Sequence, residues 1–112
     1  MKINFMSLFA KKLQTVSTEI DQIKAATTRE EMRIHANRAA VTVRMLLEIV
    51  EESDMDERTA NETEIALLEY LRDTWQEAAV WYSYHAEPQR AFAAFNQRDE
   101  LSAEIKAMQA DM

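Results

Sequence analysis

A chain of 112 residues with 47% hydrophobic side chains has the length of one domain and enough apolar content to bury a core, which sets aside a disordered tail. It contains no Cys, no Gly and one Pro. Disulfides, thiolate metal sites, thiol nucleophiles and phosphate-cradling glycine loops are therefore excluded, and tight β-hairpins are disfavoured. The net charge of -7 conceals a gradient. Residues 1–47 carry eight Lys/Arg against four Asp/Glu, residues 48–77 two against eleven, and residues 78–112 three against five. Such polarity marks either an interaction surface or helices whose charges meet inside one fold.

The abundance of Ala, Glu, Leu, Met, Lys, Arg and Gln predicts an all-α chain, read as one helical-bundle domain over residues 1–112. The first helix is expected over residues 4–26. Met6, Phe9, Leu13, Val16, Ile20 and Ile23 alternate spacings of three and four, the seam of packed long helices. The opening MKINFMSLFAKK has no small-residue cleavage pattern and is read as the start of this helix rather than a signal peptide. No apolar run approaches the roughly 18–20 residues of a membrane span, and the expected compartment is the cytoplasm.

Thr28 with Glu31 predicts a capping box opening a second helix over residues 29–53. Met32, Ala36, Ala39, Val43, Leu46 and Val50 form its core stripe. Ile34, Val41, Met45 and Ile49 form a second apolar stripe on nearly the opposite side. A surface helix ordinarily has one such face. The second stripe is read as an oligomer interface, most simply that of a homodimer, the other possibility being a helix central in the bundle.

Ser53, Asp54 and Asp56 mark the next break, with Asp54 three residues before Glu57. A third helix is expected over residues 56–86, about 45 Å long. Glu87-Pro88 ends it and starts a fourth over residues 88–110, with a seam of Ala91, Ala94, Leu101, Ile105 and Met108 and a possible kink near Asn96, where Asp99 could cap a fresh start. The fold class is thus an antiparallel bundle of about four helices.

The third helix presents the stretch of most interest. Leu67, Leu71, Trp75, Ala78, Trp81 and Tyr82 line one side, while Glu62, Glu69, Asp73 and Glu77 line the other together with Tyr84. Seven of nine aromatic residues fall between residues 70 and 95, as a core corner or as an interface of the kind Trp and Tyr dominate. The carboxylates are read as solvated, as matched by Arg29, Arg33, Arg38 and Arg44 of the second helix, or as an acidic face for a basic partner such as a nucleic-acid-handling protein, imitating a phosphate track. Direct binding to nucleic acid is not expected of a chain with this net charge.

Enzyme chemistry finds little footing. His35 and His85 stand on different helices, and Glu31 and His35 lack a third ligand. Glu48, Glu51 and Glu52, with Glu69 and Asp73, are the one carboxylate set that facing helices could turn toward Mg²⁺. That set loosely resembles the all-α nucleotide pyrophosphohydrolases. It departs from them in an i,i+4 rather than i,i+3 second pair and in lacking a basic phosphate clamp. The expectation is a non-catalytic protein-binding module, an adaptor or small inhibitor, with no catalytic residues, metal or cofactor. The alternatives are that hydrolase and a self-assembling structural protein.

Overall fold

The computed structural model describes residues 5–111, with side chains from residue 7 onward. Four helices follow one another: α1 (Phe5–Ala25), α2 (Arg29–Glu51), α3 (Glu57–Tyr84) and α4 (Pro88–Ala110). Short connections make neighbours antiparallel, and the result is a helical bundle. The expected start at residue 4 and the side chain of Met6 lie outside the described residues.

The helix boundaries have local causes. Thr28 caps α2 by accepting from the Glu31 amide at 3.2 Å. The Glu31 carboxylate reaches back to the amide and hydroxyl of Thr27 at 3.0 and 3.2 Å. These bonds, the Thr27 amide first, hold its carboxyl below the ordinary value of 4.5. At α3 the cap is Asp56, one of the three capping residues that the sequence offers at this break, which accepts from the Thr59 amide at 2.7 Å. That amide holds the Asp56 carboxyl below its ordinary value of 3.8. Beyond α3 the chain turns through Ala86 at φ 57, a left-handed position usually given to Gly. The Glu87 amide closes the turn on the Tyr82 carbonyl at 3.0 Å. Pro88 then starts α4.

The core joins α1, α2 and α3 in one cluster. Phe9, Val16 and Ile20 of α1 pack with Ala39, Val43, Leu46 and Val50 of α2 and with Leu67 and Leu71 of α3. A second cluster of Ile23, Met32, Ala78 and Trp81 closes the end that holds the α1–α2 loop. Polar ties lock that end: the Trp81 indole donates to the Ala26 carbonyl at 2.9 Å, and Glu87 accepts from Arg29 at 2.8 Å and pairs with Arg90 at 3.1 Å. His35 on α2 bonds Glu19 on α1.

Helix α4 stands apart from this trio. Among the described residues its backbone packs on α3 alone, chiefly through Ala91, Ala94 and Ile105, while Leu101 reaches the core edge. The Cα envelope of 48 × 34 × 16 Å is accordingly slab-shaped, about two helix layers thick at interaxial distances of about 8–10 Å. The seam expected for α4 is the one used. No break occurs near Asn96: α4 runs unbroken, and Asp99 pairs with the neighbouring Arg98 at 2.7 Å.

Candidate functional site

Two outward helix faces hold the residues singled out by the sequence. On α2, the core stripe of Met32, Ala39, Val43, Leu46 and Val50 is buried. The opposite face points away from the bundle. Ile34, Val41 and Met45 are 44%, 63% and 41% exposed. Helix α2 is therefore not enclosed by the other helices, which excludes the reading of it as central. Ile49 departs from this group: it is half-buried and packs against the α1–α2–α3 core. At 100° per residue it lies some 80° round the helix from Val41, on the flank that carries His35.

On α3 the outward face carries Glu62, Glu69, Asp73 and Glu77. Their partners are local. Arg58 lies 3.2 Å from Glu62, and Arg72 lies 3.9 Å from Glu69 and 3.3 Å from Asp73. Among the described residues none is paired with an arginine of α2, contrary to one of the sequence readings. Asp73 and Glu77 instead border a groove shared with Asp21 and Lys24 of α1. Arg29 is used at the α3–α4 corner, and among the described residues Arg33, Arg38 and Arg44 form no ion pair. Tyr84 at the end of the row is 84% exposed, as its position on the helix wheel predicts.

The aromatic corner divides. Trp81 is buried, with Tyr82 edge-on to it at 5.8 Å and His85 stacked on it at 3.7 Å. Tyr70, Trp75 and Phe95 are partly buried, the last beneath the Arg98 guanidinium at 4.7 Å. Tyr84 and Phe92 face solvent, Phe92 with 68% of its surface exposed. Phe92 was not separable by sequence from its buried neighbours. Its only signal is its place one residue after the buried Ala91, off the face that meets α3.

The histidines are both engaged structurally. His35 is held by Glu19, and the Nδ1 of His85 lies 2.8 Å from the Trp81 carbonyl. The carboxylates considered for Mg²⁺ do not converge. Glu48, Glu51 and Glu52 are exposed at the far end of α2, while Glu69 and Asp73 lie beside Arg72 of α3. Among the described residues no group of three His, Asp or Glu side chains is arranged to hold a metal ion. No helix among them is long and apolar enough to cross a membrane. Comparisons of the chain with protein-family models, with curated proteins and with solved structures found no match.

Proposed function

We propose that this chain is a non-catalytic protein-binding module that pairs with a second copy of itself through the outward face of α2. The observation that carries the reading is the exposure of Ile34, Val41 and Met45 directly opposite a fully formed core stripe. A helix needs one apolar face to hold its place in a monomer, so the second has no use within the fold. An isologous contact suits the pattern. In an antiparallel pair of α2 helices with Val41 near the two-fold axis, Ile34 of one copy lies opposite Met45 of the other.

Sedimentation equilibrium on the wild type and Val41→Glu tests this. Because Val41 is largely exposed, the variant keeps its fold, and a helical, soluble monomer is the expected result. A variant that remains dimeric, or a wild type that is monomeric at micromolar concentration, removes this interface.

A second reading has one observation in its favour. Tyr84, almost wholly exposed, extends the carboxylate row of Glu62, Glu69, Asp73 and Glu77 on the outer side of α3. Exposed Tyr beside acids is a surface suited to a basic partner, as in an adaptor or an inhibitor of a nucleic-acid-handling protein. Capture of such a partner in low salt, its release in high salt, and loss of capture in Glu69→Gln/Asp73→Asn/Glu77→Gln are the expected results. Capture that is indifferent to all three substitutions removes the reading.

A further inference from the structure

Helices α2 and α4 both flank α3 but do not meet along most of their length, and between them lies a trough of about 330 Å³. Thr74, Trp75, Ala78 and Tyr82 of α3 form its floor. Ala36 and Ala40 of α2 form a low wall, with Arg33, Asn37 and Arg44 along its rim, and Arg90 of α4 stands on the other side. No carboxylate lines it, in a chain with 20 acidic residues. Among the described residues, no ion pair or hydrogen bond engages Arg33, Arg44 or the side-chain donors of Asn37, Trp75 and Tyr82. The trough thus offers donors, positive charge and aromatic surface, and almost nothing that a cation would seek.

Trp, Tyr and Arg are the residue types that dominate binding energies at protein interfaces, and this is where the fold brings all three together. The shape indicates the occupant. Arg33 and Arg44 lie on one side of α2, separated by about 16 Å along its axis. That is too far for one small anion but matches two acidic side chains about three helical turns apart. The alanines between them leave room for large apolar side chains. A floor helix with helices on two sides is also the geometry of a helix-binding groove.

We infer that the trough binds an acidic amphipathic helix of a partner protein, its carboxylates on Arg33 and Arg44 and its apolar face between them against Trp75 and Tyr82. The net charge of -7 does not forbid this, because the Debye length is about 8 Å at physiological salt and the nearest charges are arginines. The inference does not depend on self-association through α2, whose exposed stripe lies on a different face.

The test uses fluorescence anisotropy with the full chain and a stapled helical peptide carrying two glutamates three turns apart with leucines between them. It is run on the wild type and on Val41→Glu, so that failure of the dimer reading stays distinguishable. Saturable binding that weakens with salt is expected. It should drop at least about tenfold in Arg33→Glu/Arg44→Glu and return in that variant when the peptide glutamates are replaced by lysine. The lysine rescue also shows that the variant is folded. Absence of binding by the wild type, equal binding of a peptide with glutamine in place of glutamate, or unchanged binding by the double variant overturns the inference. Displacement of the peptide by inorganic phosphate or adenosine monophosphate at comparable concentration also overturns it, in favour of a small-anion site.

Discussion

Ala86 offers a direct test of how the α3–α4 corner is held. Its φ of 57 places a Cβ against the backbone in a conformation that costs an L-residue about 1–2 kcal/mol relative to the right-handed region. Ala86→Gly removes that cost but gives the unfolded chain extra freedom worth about 0.4–1 kcal/mol. The turn hydrogen bond from the Glu87 amide to the Tyr82 carbonyl is backbone-only and survives the change. The net expectation is a gain of about 0.5–1 kcal/mol, read as a raised urea midpoint with an unchanged m-value by far-UV circular dichroism at fixed protein concentration. In a chain of this size that corresponds to about 2–5 °C in Tm. Ala93→Gly, at an exposed interior position of α4, is the matched control and should lose about 1 kcal/mol. Equal destabilisation by both substitutions would refute the reasoning, because it would mean that residue 86 is right-handed in solution.

Other expectations follow from the core and the caps. Leu67→Ala, at a fully buried position in the cluster that α1, α2 and α3 share, should cost about 2–5 kcal/mol by denaturant unfolding, whereas Val41→Ala should stay within about 0.5 kcal/mol. Trp81→Phe empties part of the second cluster and orphans the Ala26 carbonyl, for a loss of about 1–3 kcal/mol. The Glu31 and Asp56 carboxyls are held below their ordinary values of 4.5 and 3.8, so their contribution to stability is present above those values and lost as pH falls through the lowered folded-state ones. The acid limb of a stability–pH curve should therefore flatten in Glu31→Gln/Asp56→Asn. Titration with Mg²⁺ should leave Tm unchanged, since the α2 and α3 carboxylates do not converge. A rise of several degrees at millimolar Mg²⁺ would restore the metal-site reading.

The helices, their order and the buried stripes of α1, α2 and α4 were legible because they depend on periodicity within a single segment. Val16, Val43 and Ile105 are buried for the reason their spacing implies. What escaped depends on how one helix is rotated against another. Arg33 and Arg44 balance the α3 carboxylates in a charge count, yet they lie on the side of α2 that turns toward α4, while Asp73 and Glu77 lie on the side of α3 that turns toward α1. Ile49 shares the spacing of Ile34, Val41 and Met45, but the drift of a helix of 3.6 residues per turn carries it into the α1 flank. The placement of α4 was equally out of reach. Its seam of Ala91, Ala94 and Ile105 says that it packs on something, and only the fold says that this is α3 alone.

That placement makes α4 the element whose release disturbs the rest least. Removing it would expose Ile65 and Leu68 and uncover the edge of the main cluster that Leu101 touches, while Phe9, Val16, Val43, Leu46 and Leu67 would keep one another's contacts. Amide hydrogens in α4 should thus exchange through a local opening of lower free energy than those of α2, in a separate cooperative unit. If α4 opens in this way, the wall of the basic trough that carries Arg90 moves with it, and the width of the trough depends on that equilibrium. An occupant that touches Arg90 draws on that equilibrium, so its affinity is tunable by substitutions at the α3–α4 contact that it never meets.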